Sequence, residues 1–234
     1  MNKRFKFYFL SLIFFCTSFC FSQTGIKSVL ILGDSYLKGH FGEFLQRKMH
    51  ESGKYDVLSI AIGGAGSKTF TPVMKNLCCG FRVRQSCAGD SIKVKAKIPV
   101  LESAEKPTGN SVMKWHNGKL IDVLDTRKPD VIILVLGSNY LNAHEDLMNI
   151  IRAYSSSVPV IWIGPFDKAT SAGRYELINK AIKDKKNYLL VKSDEIVEAN
   201  GMKASHFFGK TAKKLSEAVY EKFEPFLTTS LFPN

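Results

Sequence analysis

Acid is in deficit in this chain: 21 Asp and Glu stand against 33 Lys and Arg, for a formal charge of +12 over 234 residues. Such an excess favours anionic surfaces and polymers, and it carries no information about fold. Cysteine is scarce as well. Of five, three lie beyond residue 22: Cys78, Cys79 and Cys87. Their spacing resembles no zinc site, and no metal is expected. In an oxidising compartment one pair can close and leave one thiol over, with the pairing open. Long apolar runs are missing too. Phe7–Phe21 is uncharged but falls short of the ~20 apolar residues of a membrane span. Two nucleotide and hydrolase signatures are absent. "GGAGSKT" (residues 63–69) has Ser67 and Ile62 where a Walker A loop needs glycines, so nucleotide binding is not expected; nor is a nucleic-acid partner. No G-x-S-x-G elbow surrounds Ser35.

What is present begins with a basic start, Lys3, Arg4 and Lys6, ahead of the apolar run, with Cys20 and Ser22 at small-residue positions before Gln23. Residues 1–22 therefore read as a secretory signal peptide, which places the protein outside the cytoplasm, secreted or periplasmic. Residues 23–234 are enough for one domain with a full core. They retain a formal charge of +9.

Strand-like runs alternate with helical patterns along this stretch. Val29–Leu32, Val57–Ile62, Val131–Leu136, Val160–Ile163 and Tyr188–Val191 read as five strands. Glu43–Glu51, Ser111–Thr126, Glu145–Ser156, Arg174–Lys185 and Gly209–Glu224 read as helices, the last stopped by Pro225. This order implies an α/β fold with a parallel sheet and helices on both faces. Sites in such sheets form past the carboxyl ends of strands. Gly33, Gly63, Gly137 and Gly164 all follow strand runs directly.

Residues 67–110 break the rhythm and read as an insertion. "GFRVRQ" and "SIKVKAKI" both alternate and are separated by "SCAGD", a turn composition, so a β-hairpin with a basic outer face is expected. That face would carry Arg82, Arg84, Lys93, Lys95 and Lys97 as contacts to an anionic substrate. The same pattern also suits a solvated sheet edge that lysines protect from aggregation.

Four short stretches carry the chemistry. "GDS" (33–35) ends the first strand, "GGAG" (63–66) the second and "GSN" (137–139) the third, while "SHFFG" (205–209) precedes the last helix. The set and its order resemble the SGNH branch of the GDSL serine hydrolases, over nearly all of the chain from Val29 onward. Each block alone is a common turn or cap. Together they imply a three-layer, flavodoxin-like α/β/α fold with about five parallel strands and the inserted hairpin. The resemblance further implies Ser35 as nucleophile and His206 as base, with no cofactor. The oxyanion donors would be the backbone N–H of Ser35, the backbone N–H of Gly63 and the Asn139 side-chain amide.

Two positions depart from that family. Lys203 stands three residues before His206, where the family has its acid, and Tyr140 follows Asn139, where an aspartate is usual. Asp194, Glu195 and Glu198 are candidate displaced acids, and a Ser–His dyad without an acid is the expectation. His40 is a possible rim contact. The expected activity is ester hydrolysis through an acyl-enzyme on Ser35, removing O-acetyl groups from a carbohydrate or cell-envelope glycan. The alternatives are a lipase or lysophospholipase of the same fold and a catalytically weak glycan-binding protein.

Overall fold

The computed structural model describes residues 25–75, 78–93, 96–105, 113–140, 142–182, 187–203 and 206–231. The proposed signal peptide lies outside them. Among the described residues the strands are β1 (Lys27–Gly33), β2 (Tyr55–Ile62), β3 (Phe81–Ser86), β4 (Val100–Ala104), β5 (Val131–Val135), β6 (Val160–Ile163) and β7 (Tyr188–Val191). They form one sheet in the order β4-β3-β2-β1-β5-β6-β7. The run β2-β1-β5-β6-β7 is parallel, while β3 and β4 add antiparallel at one edge. The chain leaves β1 for β2 on one side and later returns to place β5 on the other. A topological switch point therefore lies between β1 and β5, where open α/β sheets form clefts.

The helices are α1 (Ser35–Lys38), α2 (His40–Glu51), α3 (Leu120–Arg127), α4 (His144–Tyr154), α5 (Lys168–Ile182), α6 (Ser193–Ala199) and α7 (Gly209–Leu231). Alternating strand residues split the interior into two cores. Val29, Ile31, Val131, Ile133 and Ile161 face α2, α6 and α7, where Phe41, Leu45, Leu215, Val219 and Phe223 pack. Leu30, Leu32, Ile132, Leu134 and Trp162 face α3, α4 and α5, where Val123, Met148, Ile151 and Ile178 pack. The result is a three-layer α/β/α fold. All five residues of β5 are buried, so its unbroken apolar run suits a strand covered on both faces.

The sequence reading and the structure differ at several elements. The hairpin partner of β3 is β4, not Ser91–Ile98. Arg47 of α2 donates hydrogen bonds to the carbonyls of Lys93 and Ala96, which holds that stretch against the helix. The Gln85 N–H goes to the Pro99 carbonyl at 3.0 Å, and the ladder proper begins at Val100. The helix expected over Ser111–Thr126 begins at Leu120, after a short 3-10 turn at Trp115–Gly118. Pro225 does not stop α7, which runs on to Leu231. Proline removes one helical N–H bond, but Leu227 and Leu231 beyond it are buried in the first core. Helices α1 and α6 are also additional, each too short to leave a periodic signal.

Candidate functional site

The site is built where β1 turns into α1. Asp34 caps α1, accepting the Tyr36 N–H on Oδ1 at 2.9 Å. Ser35 is the first helical residue and is half-buried. Gly33 makes this tight turn feasible. A Cβ there would lie 2.7 Å from the Leu37 Cβ and 3.0 Å from the Val135 Cβ. Among the described residues, neither the Ser35 N–H nor its hydroxyl has a hydrogen-bond partner.

Asn139 joins this group from the loop after β5. Its Nδ2 donates to Asp34 Oδ2 at 3.2 Å and to the Ala65 carbonyl at 2.8 Å. One side chain thus ties together the loops that follow β1, β2 and β5. Asn139 does not cap α4. The N-cap is Ala143, with no side-chain capping bond; its own N–H donates to the Ser67 hydroxyl at 2.7 Å.

His206 arrives from the segment before α7. Its ring lies parallel to the Tyr36 ring, with centroids 5.3 Å apart and planes at 6°. Tyr36 stacks in turn on Phe166, 4.4 Å away, and sits tilted against Phe207. The imidazole is exposed and makes no hydrogen bond to Ser35; the residue next to Ser35 is what it touches. His40 holds the neighbouring backbone, accepting the Gly209 N–H on Nδ1 at 3.2 Å, with its ring edge-on to Phe208. It therefore anchors the start of α7 at the rim.

Charge near the serine is governed by burial. Asp34 is 1% exposed, and burial pushes its carboxyl up to about 7, against the pull of the backbone N–H groups that bind it. Burial also pushes the Tyr36 phenol up to about 12, with the charges of Asp34 and Asp167 adding. Asp167 follows β6 and caps α5 through the Ala169 N–H at 3.0 Å. Neither Tyr36 nor Asp167 was singled out from the sequence. The aromatic directly after "GDS" and the acid closing "GPFD" at a strand end were the available signals.

Other expected residues are committed elsewhere. The Gly63 N–H does not face the rim, because it donates to the Gly80 carbonyl at 2.8 Å. The residue directly ahead of the antiparallel β3 supplies that acceptor. The Cys78–Cys79 disulfide, formed between neighbours, packs on the same turn, and a Cβ at Gly63 would sit 2.7 Å from the Cys79 Cβ. Cys87 is a free thiol. Both amide hydrogens of Asn139 are likewise engaged by Asp34 and Ala65.

The three candidate acids have other partners. Asp194 is buried and accepts from the Tyr175 hydroxyl. Glu195 pairs with Lys192 at 2.9 Å, and Glu198 pairs with Lys168 at 2.6 Å. None of them contacts His206 among the described residues.

The basic hairpin face is also corrected. Arg84 is 1% exposed and points inward, donating to the carbonyls of Leu37, Lys38 and Gly39 at the end of α1. Burial lowers its guanidinium to about 10, still charged near neutrality. Arg82 pairs with Glu105. Lys93 and Lys97 lie in the irregular stretch ahead of β4, and Lys95 lies outside the described residues. Arg84 is therefore not part of an outer cationic face, because the segment that follows Ser35 covers it.

Among the described residues no cluster of three or more His, Cys, Asp or Glu is placed to hold a metal ion, and no helix is long and apolar enough to cross a membrane. No family model and no curated protein matches the chain. Among solved structures, the chain is similar to an acetyl xylan esterase, Est2A, from the rumen bacterium Butyrivibrio proteoclasticus. The identity is 11%, the TM-score is 0.45, and the match covers 88% of this chain. It spans 64% of the length of that enzyme.

Proposed function

We propose that this protein is a serine esterase of the SGNH type that removes O-acetyl groups from a carbohydrate. The observation that carries the reading is the meeting, at one sheet rim, of three blocks distant in sequence. Asn139 bonds the residue before Ser35 at 3.2 Å, and His206 stacks on the residue after it at 5.3 Å. A serine with an unclaimed hydroxyl and an unclaimed backbone N–H lies between them.

The chemistry follows from those groups. The Ser35 Oγ bonds to the acetyl carbonyl carbon as its proton passes to the His206 imidazole. The carbonyl oxygen becomes an oxyanion, and the Ser35 N–H is a donor ready for it. Collapse breaks the bond to the sugar oxygen, which leaves with the proton from His206. Water then attacks the acetyl-serine by the same route and releases acetate. No metal or organic cofactor has a step in this scheme. A Ser–His dyad is the arrangement proposed, since Asp194, Glu195 and Glu198 each hold another partner. The signal peptide and the extracytoplasmic location remain part of this proposal.

A second reading has one observation in its favour. The Gly63 N–H and the Asn139 amide hydrogens already have acceptors, so this oxyanion cradle is poorer than the motifs imply. A catalytically weak glycan-binding protein would tolerate that. One experiment separates the two. The protein beginning at Gln23 is assayed on p-nitrophenyl acetate beside Ser35→Ala, His206→Ala, Glu195→Gln and Glu198→Gln. The esterase reading expects the first two to lose at least about a hundredfold in kcat and the last two to stay within about threefold. Turnover that survives Ser35→Ala removes the nucleophile and the reading with it. A collapse in either Glu variant identifies an acid and removes the dyad.

A further inference from the structure

Among the described residues, Tyr140 is the most exposed of the large apolar or aromatic side chains, at 83%. It directly follows Asn139, whose amide reaches the residue before Ser35. Exposed aromatics at such a level usually lie free on a surface, but this one is fixed. The Arg174 guanidinium of α5 sits over its ring, 4.8 Å from the centroid. Arg174 is itself tied down, donating to the Gly137 carbonyl at 2.9 Å and to the Ser138 carbonyl at 2.6 Å. One cation thus braces the loop backbone and one face of the Tyr140 ring together. High exposure with one face braced leaves the other face to solvent, as a flat plate on the loop whose Asn139 bonds Asp34.

From this, the geometry points to Tyr140 as a stacking platform for a sugar ring of the substrate. A pyranose presents a face of C–H groups, slightly positive, that packs on the negative face of an aromatic ring. Two features suit the plate to that task and not to a buried role. Its position is pre-organised by Arg174, so little ordering entropy is lost on binding. Its phenol keeps a polar edge in water, where sugar hydroxyls are also solvated. An acyl chain would instead need a concave apolar groove, which a single braced ring does not supply. Phe208, at 67% exposure two residues past His206, is a second exposed aromatic at the rim, but it is held only edge-on by His40.

The inference deepens the esterase reading by naming a neutral or anionic pyranoside as the substrate class, and it is tested partly without catalysis. Partly O-acetylated cello- and xylo-oligosaccharides are titrated calorimetrically into Ser35→Ala and into Ser35→Ala/Tyr140→Ala. The expected result is about five- to tenfold weaker binding in the double variant, with Ser35→Ala/Tyr140→Phe within about twofold of Ser35→Ala. In the active protein, Tyr140→Ala should raise KM on the same oligosaccharides by a similar factor. Turnover of ethyl acetate, which has no ring to stack, should be unchanged in a pH-stat. Equal sugar affinity with and without the ring overturns the inference. So does absence of sugar binding to Ser35→Ala, or an equal loss on ethyl acetate, which would make Tyr140 a brace for the loop. If no ester is turned over yet the calorimetric difference appears, the esterase reading fails and the sugar platform stands.

Discussion

Asp34 stands one position before the candidate nucleophile and carries a buried carboxyl pushed up to about 7. A group raised above its unfolded value of 3.8 stabilises the fold fully below that value and loses the contribution as pH rises through about 7. Asp34→Asn keeps a carbonyl oxygen for the Tyr36 N–H and removes the titration. Urea unfolding at pH 4.5 and pH 7.5 should therefore show the parent losing about 3 kcal/mol more than the variant between the two conditions. The same loss in both proteins would mean that Asp34 titrates as an exposed carboxylate. At this scale the sequence was legible where a residue type is chemically unusual for its place. Ser35 and Asn139 each stand last in a block at a strand end, and His206 stands in the block before α7. Arg84 was not legible, because "FRVRQ" alternates identically whether its arginines face water or the backbone of Leu37–Gly39. Only the covering segment, distant in sequence, decides which.

Between elements, the loop after β2 and the start of α4 are clipped by a buried pair. The Ser67 hydroxyl lies 2.8 Å from His144 Nδ1 and accepts the Ala143 N–H at 2.7 Å. The imidazole also meets Trp162 edge-on, with centroids 4.9 Å apart. Burial pushes His144 down to about 4, so its contribution is present above about 6.5 and is lost as pH falls through about 4. Ser67→Ala leaves the Ala143 N–H and the imidazole nitrogen without this partner. A loss of about 2–3 kcal/mol is expected at pH 7, read from the urea midpoint at constant m. A loss under about 0.5 kcal/mol would mean that the clip carries no load. Elements were legible wherever their apolar period was long. Val160–Ile163 and Tyr188–Val191 match the expected strands end to end, and helix α2 needed only its first turn added. The edge hairpin was misread because two alternating stretches competed to pair with β3. The one with the better period lost its backbone groups to Arg47.

Across the whole molecule, the sheet order decides what the four blocks can do. β1 lies between β2 and β5, so the ends of those three strands meet with no further folding, as the registers Gly33–Ala61 and Gly33–Val135 require. His206 depends on a longer path. It reaches the rim only because α7 packs its apolar stripe, from Ala212 to Leu231, on the core shared with α2. Linear order alone does not reveal that closure. If the closure makes one catalytic unit, the two ends of the chain should be energetically inseparable. Ser35→Ala and His206→Ala would each remove nearly all turnover, and the double variant would lose little more than either alone, since a base without its nucleophile does nothing. A control from the same core sharpens the contrast. Phe223→Ala opens a cavity far along α7, and should cost about 3–5 kcal/mol of stability while the folded enzyme keeps its kcat. Multiplicative losses for Ser35 and His206 would instead describe two groups that share a rim but not a proton.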